Sequence, residues 1–152
     1  VFVVVDANKV KLTVQDVISE CSGISNLSVI FVSVPVDYFS AGLLRNIGGF
    51  YSKGNVLLFL DDDIRISPNS FELLLKIHAG YDLIQAPRYH KYLGKEMQMS
   101  SHWKTFYQST GRGFGENELD WNFISSFFLS VKRKYFYLAG GFDVRFITYG
   151  YE

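Results

Sequence analysis

A single cysteine, Cys21, occurs in the 152 residues. That scarcity excludes an internal disulfide framework and a cysteine-rich zinc site. Cys21 falls in an amphipathic stretch and reads as a small core residue. Net charge is also missing, because 15 basic and 15 acidic residues cancel. Such a chain has no global field to draw nucleic acid towards it. The local run Lys132-Arg133-Lys134 reads as a solvated helix start. No apolar run approaches the roughly 18 residues that a membrane span needs. Residues 1–5 form a short strand-like run, with no basic leader and no small-residue cleavage site. The expected compartment is therefore the cytoplasm or the cytoplasmic face of a membrane. His78, His90 and His102 show no metal-ligand spacing and are expected as solvated or hydrogen-bonded surface residues. Internal repeats and low-complexity segments are absent as well. Both ends read as cut, the first inside a strand without a starting methionine and the second on Gly150-Tyr151-Glu152, so a piece of a longer protein is expected.

What is present is apolar and aromatic material, 48% and 17% of the residues. That composition and length predict one packed domain with a substantial core. Along the chain, residues 1–5 read as a buried strand ending at Asp6. Residues 13–20 have helical spacing, and residues 27–34 are β-branched and apolar, a strand that Pro35 stops. Residues 40–53 place Leu43, Leu44, Ile47 and Phe50 on one helical face, with Gly54 past the end. Gly48 and Gly49 inside that helix predict close approach of another backbone. A strand at 56–60 follows, then a helix at 69–78 opened by Ser67 and Pro68, then a strand at 82–86. This alternation predicts an α/β fold with a mainly parallel sheet flanked by helices. Residues 87–119 break the rhythm with a polar, aromatic excursion in which 101–109 can be helical. Excursions of that size in a compact domain are usually functional or mobile. Residues 111–115 contain three glycines but do not follow a strand and open a helix, so a phosphate loop is not expected there. Residues 123–131 return to strand, and 133–138 form a short helix.

The most informative junction is the apolar run Val56-Leu57-Leu58-Phe59-Leu60 followed at once by Asp61, Asp62 and Asp63. A buried strand ending in three carboxylates delivers them to the edge where open α/β sheets bind ligands. Like charges so close repel, and a hard divalent cation with oxygen ligands relieves them. The alternative for the same residues is a solvated turn or a helix cap.

In order along the chain stand Asp6, Arg45-Asn46-Ile47-Gly48, Leu60-Asp61-Asp62-Asp63, Gly140-Gly141-Phe142-Asp143 and Tyr149-Gly150-Tyr151-Glu152. This ordered set resembles the GT-A nucleotide-sugar glycosyltransferases, above all the large family-2 group. The last two segments also resemble the Gly-Gly-Phe-Asp…Gly-x-Glu segment of galactosyltransferase-like members. The resemblance covers most of residues 1–152, with little contribution from 87–119. It implies a GT-A, Rossmann-like sandwich forming one domain, with 1–86 the nucleotide-binding half and 87–152 an incomplete acceptor-side half. Two departures stand out. Members normally begin with one more strand, and their acidic motif continues past the Glu at which this sequence stops.

The resemblance further implies a metal-dependent, inverting glycosyltransferase of hexosyltransferase type. It would move a sugar from a nucleotide-diphosphate donor, a UDP-sugar foremost, to a hydroxyl on a carbohydrate, lipid or protein. Asp61 to Asp63 match the family's Asp-x-Asp segment. Asp63 and Asp61 are assigned to Mn²⁺ or Mg²⁺, Asp61 also to the nucleoside, and Asp62 to either. Asp6 either hydrogen-bonds the nucleobase or forms a turn with Asn8. Arg45 either reaches the nucleotide or is a surface arginine with a neighbouring partner. Asn46 is expected to tie loops together, and Asp143 to be a turn residue beside Gly140 and Gly141. Glu152 is the catalytic candidate of this chain, as the base or as an acceptor ligand, and as a chain end it could instead be disordered. Trp103 and Trp121 border the aromatic excursion and are candidates for stacking on sugar rings, with the core as the other place for Trp121. Two rival functions fit the same pattern less well: a non-catalytic binding or scaffold module of GT-A type, and a doubly wound phosphotransferase using Asp6.

Overall fold

The computed structural model describes residues 2–6, 15–16, 19, 29–33, 40–61, 63–90, 97–110 and 124–146. Strands β1 (Phe2–Asp6) and β2 (Val29–Ser33) pair in parallel, with Phe2 opposite Val29 and Asp6 opposite Ser33. Asp6 thus stands at the carboxyl end of a parallel pair. Residues 15, 16 and 19 are helical, and the rest of the expected 13–20 helix lies outside the described residues, as does Cys21.

Helix α1 (Ala41–Tyr51) begins where Ser40, in extended conformation, accepts the Leu43 N–H on its Oγ at 3.3 Å. Ser52 ends it, two residues before the expected glycine. Its N–H and Oγ–H both donate to the Gly48 carbonyl, at 3.1 and 2.8 Å. Strand β3 (Val56–Leu60) follows. Helix α2 (Ser70–Ile77) starts later than Ser67 and Pro68 suggest. The Ser70 N–H bonds to the Ser67 carbonyl, and this turn takes up the residues read as the first helical turn. Strand β4 (Leu83–Gln85) comes next. Strands β5 (Tyr89–His90) and β6 (Gln98–Met99) then form an antiparallel pair inside the aromatic excursion. Helix α3 (Ser101–Thr110) follows directly, close to the expected span. Strand β7 (Phe128–Lys132) leads without a break into helix α4 (Arg133–Leu138).

The three-stranded sheet has the order β3-β7-β4. Bonds from Arg133 N–H to the Asn55 carbonyl and from Asp61 N–H to the Phe127 carbonyl bracket β3 against β7 in opposite directions. β4 pairs antiparallel with β7, Leu83 opposite Val131. β3 and β4 therefore run the same way with β7 reversed between them, so the described sheets are mixed rather than parallel throughout. Residue 123 of the expected strand lies outside the described residues. Among the described residues β7 begins at Phe128, four residues after 124, because the Gln85 carboxamide seizes the approach. Its Oε1 accepts the Ser125 N–H at 3.0 Å and its Nε2 donates to the Phe128 carbonyl at 2.9 Å.

Two compact units result, residues 1–57 with 132–152, and residues 58–131. The core of the second consists of Leu74, Trp103, Phe106, Phe127 and Phe128, with Leu58, Leu60, Ile64, Ile66 and Ile84 packed against it. His78 is buried there, which corrects its expected surface position. Its Nδ1 faces the Tyr81 carbonyl at 3.0 Å, and its Nε2 lies 2.7 Å from Ser130 Oγ. A carbonyl only accepts, so Nδ1 carries the proton and Nε2 takes the serine hydroxyl. The pair satisfies a serine that β7 buries completely.

Candidate functional site

The acidic strand end is built by backbone. After β3 the Asp61 N–H continues the ladder to the Phe127 carbonyl at 3.1 Å, and the Asp61 carbonyl accepts the Ile64 N–H at 3.2 Å. Ile64 and Ile66 press into the core on either side of exposed Arg65. Those apolar anchors fix a tight turn with Asp61 half-buried and Asp63 exposed. Asp62 lies outside the described residues. The turn delivers two described carboxylates to the edge where β3 and β4 end and β7 begins.

Among the described residues no group of three His, Cys, Asp or Glu side chains is placed to hold a metal ion. Two carboxylates on an open turn nevertheless suit Mg²⁺ or Mn²⁺, which keep waters and substrate phosphate as ligands instead of entering an all-protein cage. The residues present fit such an ion.

A second cluster joins α1 to the turn after α4. That helix stops in two left-handed glycines, Gly140 at φ +83° and Gly141 at φ +78°. The Gly141 N–H reaches back to the Phe136 carbonyl at 3.0 Å, a helix-ending bond that only this backbone allows. Asn46 of α1 then clamps the next residue. Its Oδ1 accepts the Phe142 N–H at 2.8 Å and its Nδ2 donates to the Phe142 carbonyl at 2.9 Å. A Cβ on Gly141 would lie 2.6 Å from Asn46 Oδ1, so the glycine is required by the clamp as well as by its φ. Arg45 is placed over the Phe142 ring, 5.6 Å from its centroid. The expectation that Asn46 ties loops together is met, and the two motifs, Arg-Asn-x-Gly and Gly-Gly-Phe-Asp, form one structural device. The close approach expected at Gly49 is made by a ring instead of a backbone, since a Cβ there would meet Phe136 Cε1 at 2.7 Å.

Asn46→Ala would remove the side-chain bonds to the Phe142 N–H and carbonyl. It is expected to lower unfolding free energy by about 1–3 kcal/mol. A urea midpoint equal to wild type would contradict the clamp.

Asp143 is a turn residue, as expected. Its carboxylate receives the side-chain Nε–H and the backbone N–H of Arg145. These hydrogen bonds hold it well below the ordinary 3.8, at about 2. A depressed carboxyl stabilises the fold above its unfolded value and loses that contribution as the pH falls towards 2. Arg145 is exposed, so salt screens the pair.

Other candidates separate. Asp6 ends β1, and no more than its backbone is described. Glu152 and Trp121 lie outside the described residues. Trp103 is 2% exposed and belongs to the core, which removes it as a sugar-stacking surface. In the same aromatic segment, burial and then the neighbouring Tyr89 push the Tyr107 phenol up. Sequence reasoning passed over Gln85, Ser125 and Arg88, which gather at the edge that carries Asp61. The available signal was a polar side chain closing β4 and an arginine three positions beyond it.

No helix among the described residues is long and apolar enough to cross a membrane. No curated protein matches the chain. The sequence pattern of the glycosyltransferase-like family 2, however, spans residues 1–152 in full. The acidic strand end and the clamped Gly-Gly-Phe-Asp turn thus sit in a chain that belongs to glycosyltransferase-like family 2.

Proposed function

We propose that this transferase is a metal-dependent, inverting enzyme that moves a sugar from a nucleotide-diphosphate donor, a UDP-sugar, to a hydroxyl of a carbohydrate, lipid or protein. The observation that carries the reading is the fixed turn presenting Asp61 and Asp63 at the end of β3 in a family-2 chain. On this reading Asp63 and Asp61 hold Mg²⁺ or Mn²⁺. When bound, the ion offsets the charge that gathers on the diphosphate as its bond to the sugar breaks.

The remaining work falls to side chains. Asp61 and Asp62 orient the nucleoside, Asp6 reads the base, and Arg45 supports the nucleotide. Glu152 accepts the proton of the acceptor hydroxyl as that oxygen forms its bond to the anomeric carbon. The bond from that carbon to the diphosphate oxygen breaks, and its electron pair leaves with the nucleoside diphosphate. Attack opposite the leaving group inverts the anomeric centre. Incubation of the full-length protein with UDP-sugars and Mn²⁺ is expected to release UDP, and EDTA to stop it. Release undiminished by EDTA would overturn the metal-dependent part of the reading.

A further inference from the structure

Arg88 is fixed three residues beyond β4, where its carbonyl accepts the Ser100 N–H at 2.9 Å. Its guanidinium lies over the Phe127 ring, 4.8 Å from the centroid. Its Nε is closed off from solvent yet meets no hydrogen-bond acceptor. Ser125, two residues before Phe127, is equally unmatched at its buried Oγ, while Gln85 holds its N–H. Buried polar atoms are almost always paired, and two unpaired ones on residues that flank the start of β7 need an explanation. A neighbouring ring does not supply the acceptor that the buried Nε–H lacks.

The position supplies that explanation. The carbonyl of the same Phe127 receives the Asp61 N–H, so the arginine and the acidic turn share one sheet edge. The strands that lead to them, β3 and β4, flank β7 and lie two strand spacings or about 10 Å apart. Carboxylates on one side and a guanidinium on the other match a polyanion carrying a divalent cation. The cation takes the aspartates, and the planar fork takes phosphate oxygens. We infer that Arg88 binds the phosphate oxygens of the donor and of the departing nucleoside diphosphate. The inference rests on the donor reading above and adds to it the residue that receives the leaving group's charge.

The test is calorimetric titration of UDP, inorganic pyrophosphate and uridine, each with Mn²⁺, into the full-length protein and into Arg88→Met. Methionine keeps the stem packed on Phe127 and removes the charge, so a structural role alone would leave binding unchanged. The expected result is an affinity for UDP and for pyrophosphate about ten- to a hundredfold weaker, with uridine unaffected. Arg88→Lys, which keeps the charge and loses the fork, should fall between. If the Met variant does not fold, Arg88→Gln carries the same comparison. Equal UDP affinity in a folded variant overturns the inference and leaves the donor reading standing. Arg88-dependent binding of pyrophosphate with no gain from the nucleoside keeps the anion site and overturns the nucleotide donor. No binding of either by wild type overturns both.

Discussion

Alanine at both Asp61 and Asp63 is expected to lower metal-dependent turnover of a nucleotide-sugar donor by at least about a thousandfold. The fold should survive the change. The turn is held by the bonds of Asp61 N–H to the Phe127 carbonyl and of Ile64 N–H to the Asp61 carbonyl, and neither uses a carboxylate. Ile64 and Ile66 still anchor it in the core. Asp63 is exposed and Asp61 half-buried, so the double change is expected to move stability by no more than about 1 kcal/mol. Removing adjacent like charges relieves repulsion in the folded state. Loss of turnover with an unchanged urea midpoint therefore isolates chemistry from folding. Asn at both positions keeps the shape and some oxygen donors while removing the charge, so its activity should stay close to that of the alanine variant. Full activity in either double variant would remove these aspartates from the mechanism.

The second large effect concerns stability. Trp103 is 2% exposed at the centre of a cluster with Leu74, Phe106, Phe127 and Phe128. Its ring meets Phe106 edge-on at 5.6 Å between centroids. Trp103→Ala removes the largest side chain of that core and leaves a cavity that a packed interior closes only in part. Destabilisation of about 3–5 kcal/mol is expected, read as a fall in the urea midpoint of roughly 1 M or more. The cluster also bears on the site, because Phe127 in its wall carries both the Asp61 bond and the Arg88 stack. Trp103→Phe should recover much of the lost stability. A midpoint unchanged by the alanine substitution, with weakened acceptor use, would instead restore Trp103 as a sugar-binding surface.

The features visible in the sequence are those set by neighbours along the chain. Ser40 marks the start of α1 because its hydroxyl can take the free N–H three residues further on. Lys132 and Arg133 divide β7 from α4, and Gly140 and Gly141 end that helix, since only glycine enters the left-handed region cheaply. The acidic end of β3 was legible for the same reason, as an abrupt change from apolar to charged residues. Features that depend on remote partners were not. The direction of β7 leaves no trace in Phe128–Lys132, because four of its five residues are buried and such a strand looks alike run either way. His78 reads as a surface residue until Ser130, 52 positions away, is seen facing it. Gly49 reads as a close approach of another backbone, whereas its partner, the Phe136 ring, is visible only once α4 packs there. Arg88 follows this rule too. Nothing local distinguishes it from any arginine after a strand, and its buried, unmatched Nε and its place over the Phe127 ring depend on tertiary packing.

The most direct measurement is calorimetric titration of UDP into the full-length protein with Mn²⁺ and again with EDTA. The account predicts saturable binding with the metal and its loss, or a fall of at least about tenfold in affinity, when the metal is removed. Binding that is indifferent to EDTA would contradict the role given to Asp61 and Asp63. Absence of binding under both conditions would contradict the nucleotide-sugar donor itself.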